Sequence, residues 1–132
     1  MSAKKKLPAL TEPQLEIMDV LWGQGKGTVA SVWNAIRSRR PVARNTVQTT
    51  LVRMEEKGYL RHKEEGNAFV YSPTCKRETV LGGMLQGLVD TAFSGSTAGL
   101  VLTLLDKQDL SDDDVARIQA LLDDHKQRNK KG

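Results

Sequence analysis

The sequence predicts a mainly α protein in two parts, three helices and a β-hairpin followed by helices only. Three observations carry this. Apolar residues recur at three- and four-residue spacing through most of the chain, a single pair of short β-prone runs lies near its middle, and no strand pattern follows Pro73. Aromatic residues make up 5% of the 132 residues against 39% hydrophobic, which fits an aliphatic, helical core.

The first helix opens at Thr11, whose hydroxyl can cap it while Gln14 reaches back in a T-x-x-Q box. Pro13 is tolerated in the first turn, where its missing N–H would be unpaired anyway. Leu15, Met18 and Leu21/Trp22 supply the apolar stripe, and the run from Gly23 to Gly27 ends the helix. Thr28 caps a second helix with Val29, Val32, Trp33 and Ile36 facing inward, closed by Arg39, Arg40 and Pro41. Between the two helices, the stretch from Gly23 to Thr28 lacks phosphate-loop spacing and follows a helix instead of a strand, so it reads as a helix-to-helix turn.

A third helix is expected from about Arg44 to Lys57, stopped by Gly58, because Val47, Leu51 and Met54 recur at i, i+4 and i+7. With those three turned inward, Asn45, Thr49, Val52 and Arg53 project outward, flanked by Thr46 and Gln48. Two alternating runs follow, Tyr59 to Lys63 and Ala68 to Ser72, joined by a turn over Glu64 to Asn67. Three helices and a hairpin spell a winged helix-turn-helix, in which the third helix would enter the major groove of DNA and the hairpin would touch the backbone beside it.

After Pro73 come an amphipathic helix marked by Val80/Leu81, Met84/Leu85, Leu88/Val89 and Ala92/Phe93, a break at Ser94 to Ser96, and a short apolar helix from Leu100 to Leu105. Ser111 caps a last helix carrying Val115, Ile118 and Leu121/Leu122, with Asp112 to Asp114 in its first turn and Lys126 and Arg128 near its end, which suits the helix dipole. So small a helical unit leaves apolar surface uncovered in a monomer. A three-helix dimerisation domain is therefore expected, with Leu81, Met84, Leu85, Leu88, Leu100, Leu104, Leu105, Ile118, Leu121 and Leu122 at a homodimer interface. The expected division is a basic tail over 1–7, a winged-helix DNA-binding domain over 8–73, the dimerisation domain over 74–128 and a tail over 129–132.

Composition narrows the function. Residues 1–72 carry 12 Lys/Arg against 7 Asp/Glu, hence +5, while residues 73–132 carry 8 against 9, hence −1. Basicity in the first half alone suits a polyanion there and protein contact elsewhere. Cys75 is the single cysteine, so no internal disulfide forms, and the longest apolar run, Ala98 to Leu105, is too short to cross a membrane. These features predict a cytoplasmic protein with no membrane insertion. His62 and His125 stand apart, with no clustered carboxylate or thiol, so neither an enzyme nor a metal site is expected, and no cofactor.

The outward face of the third helix is the candidate site. Asn45 and Gln48 can pair bidentately with adenine, Arg53 with guanine or phosphate, and the methyl groups of Thr46, Thr49 and Val52 can meet thymine. Arg37, Arg39, Arg40 and Arg44 bracket the turn into that helix, and Arg61, His62 and Lys63 lie in the hairpin. Of these, Arg37, Arg40, Arg44, Arg61 and Lys63 are the expected backbone contacts. Glu64 and Glu65 at the hairpin tip oppose deep insertion of the wing. A winged-helix module that binds an acidic protein, and a repressor gated by a small molecule, are the alternative readings.

Three segments, Leu10 to Trp22 (LTEPQLEIMDVLW), Asn45 to Leu60 (NTVQTTLVRMEEKGYL) and Phe69 to Pro73 (FVYSP), closely resemble the penicillinase repressor family, the BlaI/MecI/CopY group. The likeness continues through Leu100 to Ser111. It implies a homodimeric transcriptional repressor, with a winged helix on a palindromic operator and an intertwined carboxy-terminal dimerisation domain. It also implies base contacts at Asn45, Thr46, Gln48, Thr49 and Arg53, and target genes for β-lactam resistance or an adjacent membrane metallopeptidase sensor. The antibiotic-responsive members are released by proteolysis at an Asn-Phe bond, which is matched here by Thr103-Leu104. The carboxy-terminal cysteine cluster of the copper-responsive branch has no counterpart in this chain.

Overall fold

The computed structural model describes residues 7–107 and 109–131. The basic tail from Lys4 to Lys6 lies outside them. The order is α1 (Glu12–Gln24), α2 (Val29–Arg37), α3 (Arg44–Lys57), β1 (Leu60–Glu65), β2 (Ala68–Pro73), α4 (Arg77–Ala92), α5 (Thr97–Lys107) and α6 (Asp112–Lys131). The chain divides into two compact units, one ending at Gly83 and the other starting at Met84.

Local chemistry explains where the helices of the first unit begin and end. At α1 the Thr11 hydroxyl accepts from the Gln14 amide at 3.3 Å, and the Thr11 amide donates to Gln14 Oε1 at 3.0 Å, completing the expected box. At α2 Thr28 and Ser31 make the same reciprocal pair at 3.1 and 2.9 Å, with Ser in the place usually held by Glu or Gln. Gly58 stops α3 at φ 97°, a left-handed conformation that L side chains resist.

The core of this unit joins Ile17, Met18, Val20 and Leu21 of α1 to Val32 and Ile36 of α2, Val47, Leu51 and Met54 of α3, and Tyr59, Leu60 and Tyr71 from the hairpin region. The buried triad of α3 is the one its spacing predicts. The buried face of α1 is rotated from expectation, since Ile17 and Val20 are buried while Leu15 and Trp22 are half-buried. Trp22 sits at the edge because its indole N–H donates to the Cys75 carbonyl at 3.0 Å, which draws the ring toward the segment leading into α4.

The hairpin is antiparallel, with Leu60 opposite Pro73, His62 opposite Tyr71 and Glu65 opposite Ala68. Its turn is shorter than expected, only Gly66 and Asn67, because Gly66 adopts φ 63° and lets Glu64 and Glu65 stay paired in the strand. The α1–α2 turn adds an edge to this hairpin. Gly27 N–H donates to the Tyr71 carbonyl at 2.9 Å, and Tyr71 N–H donates back to the Gly27 carbonyl at 2.8 Å.

The second unit is helical throughout. Ser94 (φ 51°) and Gly95 (φ 82°) turn the chain between α4 and α5. Ser96 Oγ accepts from the Gly99 amide at 2.9 Å and Ser111 Oγ from the Asp114 amide at 3.0 Å, capping α5 and α6. Helix α5 starts three residues before the expected Leu100, at Thr97, and α6 runs on through 129–131, a stretch expected to be tail. Lys and Arg near that end suit the carboxy-terminal pole of the dipole, which favours continuation. Among the described residues of this unit only Val89 is buried, whereas Leu102, Leu121 and Leu122 are about 60% exposed. No single described helix is long and apolar enough to cross a membrane.

Candidate nucleic-acid interface

The exposed side of α3 is built by the same periodicity that buries Val47, Leu51 and Met54. Asn45, Thr46, Gln48, Thr49, Val52 and Arg53 are all exposed, on one face that is polar except for Val52 and of modest side-chain length. Thr50 is turned back, donating its hydroxyl to the Thr46 carbonyl at 2.7 Å, so it is withdrawn from that face. Ala43, the residue before α3, supplies no side-chain cap, and the Thr46 and Val47 amides are the first to bond back, to its carbonyl at 3.1 and 3.3 Å.

Beside this face the hairpin presents two different sides. Successive strand residues alternate, so Arg61 and Lys63 share one side with Ser72 and Val70, while His62 and Glu64 share the other with Tyr71 and Phe69. Sequence proximity groups His62 with Arg61 and Lys63, but its Nδ1 lies 2.7 and 2.8 Å from the two carboxylate oxygens of Glu55 on α3. That contact belongs to the inner side of the wing. Lys26, in the α1–α2 turn, reaches Glu65 at 3.5 Å and offsets part of the acidity at the wing tip.

The cations fall into two groups. Arg44, Arg53, Arg61 and Lys63 are exposed and form no ion pair among the described residues. The arginines at and after the end of α2 are engaged by their own domain. Arg40 binds Glu16 Oε1 through Nη2 at 2.6 Å and Nε at 3.1 Å, Arg39 reaches Asp19 at 3.6 Å, and Arg37 lies 4.3 Å above the Trp33 ring. Glu16 and Asp19 stand one turn apart on α1, a spacing visible in sequence, but their approach to Arg39 and Arg40 depends on the packing of α1 against α2. A groove beside α3 is lined by Thr28, Arg44, Gln48, Asn67 and Phe69, so the start of α2, the start of α3 and the wing meet there.

Among the described residues no group of His, Cys, Asp or Glu is arranged to hold a metal. Cys75 is half-buried, and its Sγ lies 3.5 Å from the Thr74 hydroxyl. Leu81 lines a cleft with Leu15 and Trp22 in the first unit, one helical turn before Leu85 on α4.

A three-helix core, a hairpin bonded to the turn of the helix pair, and an exposed polar third helix define a winged-helix protein of the DNA-binding class. The chain belongs to the penicillinase repressor family, since the family model described as "Penicillinase repressor" matches residues 10–124. It is 28% identical over 126 residues to the penicillinase repressor of Bacillus licheniformis, covering 96% of this chain and 98% of that one. It is 20% identical over 113 residues to the methicillin resistance regulatory protein MecI of Staphylococcus aureus strain N315, covering 86% and 92%. The solution structure of the DNA-binding domain of the repressor BlaI matches with a TM-score of 0.51 at 33% identity, over 55% of this chain and 89% of that one. The crystal structure of a mutant MarR from E. coli shares the fold, with a TM-score of 0.52 at 17% identity, over 87% and 76% of the two chains. The family is one of transcriptional repressors, not enzymes, so this chain is a DNA-binding repressor.

Proposed function

We propose that the chain works as a cytoplasmic homodimer that occupies a palindromic operator, one copy of α3 in each half-site, and so blocks promoter access. The observation that carries this reading is the exposed face of α3, polar except for Val52 and flanked by cations that have no acidic partner among the described residues. In the proposal Asn45, Thr46, Gln48, Thr49 and Arg53 face base edges. Arg44, Arg61 and Lys63 take phosphates directly, while Arg37 and Arg40 take them from fixed positions on Trp33 and Glu16.

Dimerisation is assigned to the carboxy-terminal half. Met84, Leu85, Leu88, Leu104, Leu105, Ile118, Leu121 and Leu122 are exposed on α4, α5 and α6, with Leu81 and Leu100 half-exposed, an apolar area that a second copy would cover. Joining two half-site contacts raises the effective concentration of the second, so separating the copies lowers operator occupancy by about 10²-fold or more. Release by prising apart or cutting this half follows, with a membrane metallopeptidase sensor as the partner that initiates it. The Thr103-Leu104 bond lies inside α5, where Thr103 donates its hydroxyl to the Gly99 carbonyl at 3.0 Å, so cutting there requires that turn to open first.

The test is selection from a pool of random duplexes at near-physiological salt, where non-specific phosphate binding is suppressed. Enrichment of an inverted repeat with half-sites about one helical turn apart, or a multiple of it, is the expected result. Failure to enrich any motif with the protein intact would sink the operator reading and favour an acidic protein partner.

A further inference from the structure

Phe69 is an aromatic side chain in an unusual place for one left in water. It is 44% exposed, although burial of a phenylalanine is worth about 1.5 to 3 kcal/mol and Tyr71, two residues on along the same side of the strand, is fully buried. Isolated exposed apolar residues are common and need no explanation by themselves. Phe69, however, is held in place. Its ring stacks on His62 with centroids 4.2 Å apart and planes 22° from parallel, and His62 is in turn fixed by the Glu55 carboxylate of α3 and packed at 5.6 Å from Tyr71 of the core. A chain of contacts thus runs from the third helix through His62 to an exposed ring on the wing. That ring lines the same groove as Arg44 and Gln48.

We propose that Phe69 is a DNA-contacting residue of the wing, making an apolar contact with deoxyribose on the strand bordering the groove that α3 enters, and that His62 is the positioning residue that holds its ring there. The inference rests on the operator-binding reading above. Register favours sugar over phosphate. Glu64 lies directly opposite Phe69 on the same side of the hairpin and would repel a phosphate, whereas an uncharged sugar edge meets an aromatic face without that penalty. The cationic side of the wing, Arg61 and Lys63, faces the other way and is left for the backbone charges. The wing then offers DNA two chemistries on its two sides, one sensitive to salt and one not.

The test uses the full-length chain and the duplex enriched by selection, with Phe69→Ala, His62→Ala and the double variant, each checked for an unchanged thermal unfolding midpoint within a few degrees. Affinity is measured from low to moderate salt for the selected duplex and for one of scrambled sequence. Phe69→Ala is expected to weaken binding to both duplexes by about tenfold per half-site, without changing the salt slope, because no counterion is released by a neutral contact. His62→Ala is expected to lose part of the same affinity and to add nothing in the Phe69→Ala background, a non-additivity that a merely structural role would not produce. Wild-type affinity for Phe69→Ala, a changed salt slope, or a loss confined to the selected sequence would each overturn the proposal. If the unaltered protein enriches no duplex, the operator reading itself fails. If it enriches one and Phe69→Ala binds it normally, only the role of Phe69 is lost.

Discussion

The two halves of this chain use nearly the same kind of residues in opposite ways. In the first unit, apolar side chains from three helices and a hairpin close on one another, and twelve of them, from Ile17 to Tyr71, form one buried cluster. In the second, Val89 alone among the described residues is buried, and leucines on three helices stay in contact with water. Helix α5 makes the contrast plainest. At 100° per residue Leu100, Val101, Leu102, Leu104 and Leu105 cover an arc of about 200°, wider than the stripe of about 100° that suits a helix lying on its own domain. The first half is a finished fold, and the second is a surface that, in the proposed dimer, a further copy completes. A helical pattern in sequence therefore says that a face is apolar without saying which molecule will cover it.

The contrast breaks most visibly if the second half is made polar. Replacing Leu121 and Leu122 by Asp is expected to turn the proposed dimer into a monomer in sedimentation velocity, with operator occupancy lowered by about 10²-fold or more and the winged helix still folded. An unchanged sedimentation coefficient would show that copies do not join through this face. Next in size are single truncations on either side of the division. Leu51→Ala, fully buried in the first unit, is expected to cost about 2 to 5 kcal/mol in chemical denaturation whatever the protein concentration. Leu102→Ala should act through association, so its effect on the midpoint should vary with concentration, and a concentration-independent loss would count against the comparison.

Gly58→Ala probes a single conformation of the first unit. Its φ of 97° and the approach of Leu7 Cδ2 to 3.0 Å of an added Cβ predict a loss of about 1 to 2 kcal/mol by thermal unfolding, and a neutral result would mean that the α3 stop is not constrained by backbone strain. The smallest expected effect is alkaline. Burial raises the phenol of Tyr59 above its usual 10, with a further push from Cys75, and burial followed by Glu55 raises that of Tyr71. The unfolded chain ionises first, near pH 10, so this contribution is complete below that pH and is lost as pH rises through the higher folded-state values. Tyr59→Phe with Tyr71→Phe should flatten the decline of the unfolding midpoint above about pH 10.

Much of the first unit is legible in sequence because its signals are local. The Thr11 and Thr28 caps, the Val47, Leu51 and Met54 spacing, and the stop at Gly58 each need only a few neighbouring residues. The polar face of α3 follows from that spacing by geometry. What escapes is long-range. The pairing of Gly27 with Tyr71 joins residues far apart in the chain, and nothing in Gly-Gln-Gly-Lys-Gly announces a strand edge. Pairing of Arg40 with Glu16 and of His62 with Glu55 depends on how helices and hairpin pack, so these polar residues are readable in advance but not whether they are already engaged. The stripe of α1 departs from its expected position for a related reason, since Trp22 is apolar by composition but is drawn to the domain edge by the partner its N–H requires.

The bond pair between Gly27 and Tyr71 has a bearing on how fast a target can be recognised. A free hairpin samples many angles relative to its helices, and each must be given up when the complex forms. Here the root of the wing is stitched to the turn that precedes α2, so that angular freedom is surrendered while the chain folds, long before any duplex arrives. Encounters then need no resetting of the hairpin angle after contact. An association rate with little dependence on solution viscosity beyond diffusion, and slow amide exchange at Tyr71, are the kinetic marks of a hairpin set in advance.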